Sequence, residues 1–288
     1  MRIAIVQLQG IGNAILTTPL IHAVHSLGNE MTVIANYSRG SEPAFANWPV
    51  ITHLCDRLPP ITQKFDLVIW CHLIWGDVET ALRLKGTPAI YPEPCQRPKD
   101  GAWQDRFRKH EVEYLVDMAR SIGFQGPIPP QRVFHHPQPV QSKRIAIGIG
   151  YLKNGLWDQK HWGNENYRQL CHRLLDNGYQ PVLVGDAKDW EQDGRIIAND
   201  GGVESLCGRP LQEVVDQMSG CGAFIGNDTG LMHVAAALGR PVVAIFCASN
   251  PVKNRPWCDQ SIVIDGNICD AGDPMRPMAR LTAQGIDE

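Results

Sequence analysis

The run Gly226-Asn227-Asp228-Thr229-Gly230-Leu231-Met232-His233 brings a carboxylate, a hydroxyl, an imidazole and two glycines into one turn. The apolar residues before it, Ala223–Ile225, read as a buried strand. The small residues after it, Val234–Leu238, read as a helix ended by Gly239 and Pro241. A strand that turns through Gly and Asp into a helix aims the N–H groups of the first helical turn at one point. Such a point binds anions, and a diphosphate is its usual tenant. Thr229 can add its hydroxyl, and His233 follows one turn along on the same face. A plain helix cap at Asp228 with a surface histidine is the simpler reading, but a cap does not require Thr229, Gly230 and His233 together.

Other reactive groups lie at comparable places. A glycine turn, Gly10-Ile11-Gly12-Asn13, follows the N-terminal apolar run. Lys160-His161-Trp162 precedes a helical pattern, and Gly185, Asp186 and Asp189 follow a strand-like run. On spacing alone Lys160 is a solvated lysine beside Trp162, and Asp189 is a helix-start acid. Trp70, Trp75 and Trp103 carry faces that suit sugar rings, although Trp70 ends a buried strand and reads as core.

The elements that must hold these residues alternate as in parallel α/β sheets. In the first half, strands are expected at Arg2–Leu8, Met31–Ala35, Asp66–Cys71 and Ala89–Tyr91. A helix is expected over Ala14–Leu27, stopped by Gly28, with Pro19 kinking it or marking its first turn. Another is expected over His110–Ile122. The proline-rich stretch from Gly126 to Pro139 is the linker candidate. Beyond it come strands Arg144–Ile149, Pro181–Val184, Val242–Phe246 and Ser261–Ile264, and a helix Asn164–Leu175. The fold class is therefore α/β, with two doubly wound, Rossmann-like domains facing a cleft, over residues 1–136 and 137–288.

Composition narrows the function. The chain has 288 residues, 43% hydrophobic and 20% charged, with a net charge of -3. That balance argues against a large nucleic-acid footprint and leaves room for a local basic patch, and no nucleic-acid partner is expected. No apolar run spans a bilayer and the start lacks a signal peptide, so the expected location is cytoplasmic. The nine cysteines are an odd number without a Cys-x-x-Cys pair, which argues against a disulfide framework. Cys258 and Cys269 are too few for a metal site, and most other cysteines read as small core residues.

Four segments, in order, resemble glycosyltransferase family 9, the ADP-heptose:lipopolysaccharide heptosyltransferases. They are Met1–Val6 through Gly10-Ile11-Gly12-Asn13 to Leu20; His110-Glu111-Val112-Glu113-Tyr114-Leu115; Lys160-His161-Trp162 through Gly185; and Asp228–His233 through Phe246. The resemblance implies the GT-B fold, with an N-terminal acceptor-binding domain and a C-terminal nucleotide-sugar-binding domain. It implies an inverting, metal-independent transferase with no cofactor. Its partners would be a nucleotide sugar, by resemblance ADP-heptose, and a lipopolysaccharide core or other glycan acceptor. A lipid-linked acceptor would bring peripheral membrane contact.

The resemblance also assigns residues. Asp228, Thr229, Gly230, His233, Asp189 and Gly185 would bind the donor, with Asp189 near the ribose. Lys160 would face the diphosphate, ahead of Lys153 and Arg255. Gly10, Gly12 and Thr17 would bind the acceptor. The expected catalytic base is a carboxylate, but Asn13 stands at its position. An amide cannot take a proton near neutral pH, although it can hold an acceptor hydroxyl. His72, Asp77, Glu79, Asp105 and His110 remain as bases. Two other readings follow. One is a catalytically silent nucleotide-sugar binder. The other is an NAD-dependent Rossmann oxidoreductase, disfavoured because Ile15 replaces the third glycine and no acid ends Met31–Ala35.

Overall fold

The computed structural model describes residues 1–56, 64–72, 84–92, 108–151, 160–247 and 249–266. The chain divides into two compact units, Met1–Phe134 and His135–Glu288.

The first unit holds a parallel sheet of β1 (Arg2–Val6), β2 (Glu30–Ala35), β3 (His53–Asp56), β4 (Leu67–Trp70) and β5 (Ala89–Ile90), in the order β3-β2-β1-β4-β5. Ile3 to Val6 in the central strand are buried throughout, as a strand covered on both faces must be. Helix α1 (Ile11–Ser26) starts three residues before the expected Ala14 and carries Pro19 inside it. Pro19 has no N–H for the carbonyl of Ile15. The Thr18 hydroxyl donates to that carbonyl instead, at 2.7 Å. Gly28, at φ 74°, ends the helix as expected. A short α2 (Glu42–Phe45) and α3 (Glu111–Ser121) complete the described helices of this unit.

The second unit repeats the plan. Its parallel strands are β6 (Gln141–Gly148), β7 (Gln180–Val184), β8 (Glu204–Ser205), β9 (Cys221–Asn227), β10 (Val242–Phe246) and β11 (Ser261–Asp265), in the order β11-β10-β9-β6-β7-β8. The helices are α4 (Asn164–Asp176), α5 (Ala187–Asp189), α6 (Arg195–Ile197), α7 (Leu211–Ser219), α8 (Gly230–Ala237) and α9 (Pro251–Asn254), with a π-helical turn at Trp190–Gly194. Its core gathers Ile145, Ile147, Trp162, Tyr167, Leu183 and Ile225. Cys171 and Cys247 belong to the same core, and burial pushes both thiols up to about 12.

In each sheet the strand order reverses once, between β1 and β4 in the first and between β6 and β9 in the second. Open parallel sheets bind ligands at such points, beyond the carboxyl ends of the strands. The proline-rich connection is bonded at Arg132, Phe134, His136 and Gln138. Arg132 donates to the carbonyls of Ala44, Ala46 and Asn47 and lies over Trp48, while His136 bonds Asp216. Among the described residues no helix is long and apolar enough to cross a membrane.

Candidate functional site

The second sheet's switch point is built by glycines and a buried tyrosine. A Cβ on Gly226 would stand 2.5 Å from the Gly148 carbonyl oxygen, so β9 can approach β6 this closely only without a side chain there. Tyr167 of α4, fully buried, donates its hydroxyl to that same carbonyl at 3.0 Å. Burial holds the phenol well above its usual pKa, and a hydrogen bond from the Asn227 backbone only partly offsets this. Tyr167 therefore pins the ends of β6 and β9, and Trp162 packs edge-on against its ring at 5.1 Å.

Asp228 follows β9 directly, and its carboxylate does not cap α8. The N-cap is Thr229, whose side chain makes no capping bond, and the first turn of α8 holds no acid. Asp228 turns to Lys160 instead. Nζ donates to Oδ2 at 2.8 Å and to the Asp228 carbonyl at 3.3 Å. Nε2 of His233 stands 3.9 Å from the other carboxylate oxygen. Asp228 and His233 are only 6% and 5% exposed, and the Lys160 side chain 18%. Burying a lone carboxylate costs several kcal/mol, so the ammonium is its counter-charge. A cation, a helix start and a hydroxyl thus share one locus. Neither the cap at Asp228 nor the solvated Lys160 that spacing alone suggests is what forms.

Asp189 lies nearby in sequence order but has a local task. Its Oδ2 accepts the Asp186 N–H and Asp186 Oδ1 accepts the Asp189 N–H, both at 2.8 Å, forming a capping box at α5. A Cβ on Gly185 would stand 2.7 Å from Asp189 Oδ2, so Gly185 makes room for this carboxylate. Arg255 is exposed just beyond α9. Lys153 lies outside the described residues.

Residues 131–273 match the model of glycosyltransferase family 9 (heptosyltransferase). This segment, 143 of the 288 residues, is similar to glycosyltransferase family 9. Lipopolysaccharide heptosyltransferase 2 of Escherichia coli K12 is 40% identical over 111 residues, 36% of this chain and 32% of that protein. Lipopolysaccharide heptosyltransferase 1 of Escherichia coli O18:K1:H7 is 28% identical over 188 residues, 63% of this chain and 55% of that protein. The chain thus matches about a third of the length of the first of these relatives and about half of the second. Solved structures extend the likeness of fold to the whole chain. A family 9 glycosyl transferase of Veillonella parvula superposes with a TM-score of 0.78 at 17% identity, covering 99% of this chain and 94% of that one. An Escherichia coli heptosyltransferase with ADP gives 0.75 at 19% identity, covering 100% and 98%. The GT-B fold expected from the sequence is the fold observed.

The first unit's switch point carries different groups. Gly10 is the N-cap of α1, and neither a capping side chain nor an acid serves that helix's first turn. Gly12 is buried and Asn13 half-buried in the same turn. Thr17 is fully buried, and its hydroxyl donates to the Asn13 carbonyl at 2.8 Å. Thr17, expected at the acceptor, thus places its hydroxyl proton within α1. His110 is corrected as a base. It is buried as the N-cap of α3, and its Nδ1 accepts the Val112 N–H at 3.1 Å. His72 follows β4, with Nδ1 3.1 Å from Glu111 Oε1. Trp70 is core and stacks on Tyr91. Asp77, Glu79, Asp105, Trp75, Trp103 and Cys269 lie outside the described residues.

Sequence reasoning missed the Lys160–Asp228 pair, the Tyr167 pin and the His72–Glu111 contact. Each joins residues far apart in the chain. Only the continuous apolar runs of β6 and β9, with a glycine in each, hinted that two strand ends would meet.

Proposed function

We propose that the chain is an inverting, metal-independent glycosyltransferase. It moves a heptose from ADP-heptose to a lipopolysaccharide core or related bacterial glycan. The observation that carries this reading is the uncapped start of α8 at the switch point, with Lys160 held over it by Asp228. As the sugar–oxygen bond breaks, negative charge grows on the leaving diphosphate. The amides of a helix start and an ammonium stabilise that charge where it develops. An ammonium has three donor protons, so Lys160 can keep Asp228 and still address a phosphate oxygen. Thr229 and His233 line the same turn, and Asp189 and Gly185 shape the neighbouring strand end. The first unit takes the acceptor at Gly10, Gly12 and Asn13, and a lipid-linked acceptor brings it to a membrane surface. The relatives support the choice of sugar: they are named lipopolysaccharide heptosyltransferases, and one Escherichia coli structure holds ADP-2-deoxy-2-fluoro heptose.

The test is calorimetry with ADP-, UDP-, GDP- and TDP-sugars and with NAD, followed by turnover with the binding donor and core-truncated lipopolysaccharides in EDTA. ADP-heptose should bind and its heptose should be transferred with inversion. Tight binding of NAD, or transfer that stops in EDTA, would refute the reading. Asn13 favours one rival, a silent binder, in which ADP-heptose binds and no acceptor is glycosylated.

A further inference from the structure

We propose that His72, oriented by Glu111, is the base that removes the acceptor's proton. This rests on the glycosyltransferase reading above and supplies the step that Asn13 cannot perform.

The argument starts from the first sheet's switch point. There the ends of β1 and β4 lie side by side, and the Cys71 N–H still donates to the Val6 carbonyl at 3.1 Å. From the β1 side come Gln7, Gln9, Gly10 and Asn13, which carry only amides or no side chain. None of them can accept a proton near neutral pH. Gln7 is fully buried, and its Oε1 accepts the Gln9 N–H. From the β4 side comes His72, and α3, which packs along α1, places Glu111 against it.

The pairing sets the tautomer. Glu111 is an acceptor when ionised, and its side chain is 5% exposed at the first turn of α3, where a helix start favours a carboxylate. Oε1 at 3.1 Å from Nδ1 fixes a proton on Nδ1, so in the neutral ring the lone pair is on Nε2. That is the form a general base needs, with a carboxylate behind it to stabilise the imidazolium. His110 is the opposite case. Its Nδ1 accepts a backbone N–H, so its proton sits on Nε2. Nε2 of His72 is buried, so acceptor docking has to uncover it, while 13% of the side chain is already exposed.

In the step itself, the acceptor oxygen forms a bond to the anomeric carbon. The bond from that carbon to the diphosphate oxygen breaks, and its electron pair leaves with ADP. The hydroxyl proton passes to His72 Nε2 and later to water. Glu111 stays ionised and is a positioning residue.

The experiment compares His72→Gln, Glu111→Gln, Asn13→Asp and the His72→Gln/Asn13→Asp double variant, using ADP-heptose and core-truncated lipopolysaccharide. His72→Gln should lower kcat about 100- to 10,000-fold, the usual worth of general-base help, with donor affinity unchanged by calorimetry. Glu111→Gln should lower kcat less. Asn13→Asp should give no gain in the native background but restore at least tenfold in His72→Gln, because a carboxylate then stands in the vacated role. A His72→Gln enzyme within threefold of native kcat overturns the proposal, as does a double variant no faster than His72→Gln. Nitrogen NMR of the native ring keeps the test sound if a variant melts early: protonated Nδ1 with bare Nε2 supports the assignment, and the reverse overturns it. A native chain that binds ADP-heptose and transfers nothing defeats the transferase reading itself.

Discussion

The two switch points share a plan and differ in charge. Each lies where the strand order reverses, and each is followed by a helix whose start is left uncapped by side chains, α1 after Gly10 and α8 after Thr229. Other starts differ: side chains cap α3 (His110, Glu113), α5 (Asp186, Asp189) and α9 (Asn250), while α2, α4 and α7 lack a side-chain cap but carry an acid in the first turn, Glu42, Glu165 and Glu213. Among the described helices of eight residues or more, only α1 and α8 start with neither a capping side chain nor an acid, and both stand where a parallel sheet binds ligands. Beyond this the two diverge. The second carries a part-buried Lys160 paired with the buried Asp228, whereas the chain leaving β1 in the first brings the amides Gln7, Gln9 and Asn13, and His72 follows β4. A cation at a helix start suits a diphosphate, and an amide-bearing turn suits a neutral polyhydroxyl ligand. The scaffold sets the place, and the few side chains at each strand end set the ligand.

The strongest way to break this contrast is to close the second helix start. Thr229→Val with Gly230→Val puts branched side chains over the amides of α8 and should abolish ADP-heptose binding. Calorimetry on the folded double variant decides it, and unchanged affinity would end the claim that α8 holds the diphosphate. Removing only the cation should do less. Lys160→Ala should cost about 1–3 kcal/mol of affinity for ADP-heptose, the range for a charged hydrogen bond. Adenosine should lose almost nothing. Equal losses for both ligands would place Lys160 away from the phosphates.

The two glycine turns separate on stability as well. Gly226 faces the Gly148 carbonyl oxygen at 2.5 Å from a would-be Cβ, and backbone cannot step aside as a side chain can. Gly226→Ala should destabilise the chain by about 1–3 kcal/mol, as overpacking does. At Gly10 the corresponding distance is 3.4 Å, to the Arg39 carbonyl oxygen, and φ is -71°, open to any residue. Gly10→Ala should cost under about 1 kcal/mol, through the poorer N-cap alone. Denaturant titration of both variants checks the order, and a larger loss at Gly10 would reverse the comparison.

Much of this was legible in the sequence, for identifiable reasons. Val242–Phe246 is a strand over the residues its apolar run indicates, because a strand buried on both faces leaves no polar interruption. Tyr167, Leu170 and Cys171 marked the buried face of α4. The strands β3 and β8 were not legible, since short polar strands at or near a sheet's edge leave little pattern. The start of α8 falls four residues before the expected Val234, because a glycine at the first helical position counts against a helix on propensity alone. The site was half visible. The turn at Asp228 announces itself locally, but the partner of its carboxylate stands 68 residues away and no spacing rule reaches that far. The bond from the Thr17 hydroxyl back to the Asn13 carbonyl of its own helix was likewise not legible, since the sequence does not say which partner a hydroxyl near a glycine turn takes.

The smallest predicted effect compares the two ends of the connecting chain. At one end Arg132 holds backbone carbonyls, which do not titrate in the working range. At the other, Asp216 accepts from the His136 backbone N–H and meets its ring nitrogen, each at 2.8 Å. Burial by itself would raise the Asp216 pKa, but the hydrogen bonds from His136 and Gln212 outweigh it and leave the carboxyl below its usual range. A carboxylate whose folded pKa is depressed adds stability that is fully present above its unfolded value, near 3.9, and that fades as pH falls through the folded value. Exchange protection of the His136 amide should therefore drop below about pH 4, while that of the Arg132 amide, bonded to the Thr18 hydroxyl, should persist. The His136 ring is largely exposed, so screening keeps the loss under about 1 kcal/mol. Asp216→Asn should flatten the profile at His136 without touching Arg132. Protection that falls equally at both amides would show that acid loosens both units, and that the two ends of the connection do not differ in kind.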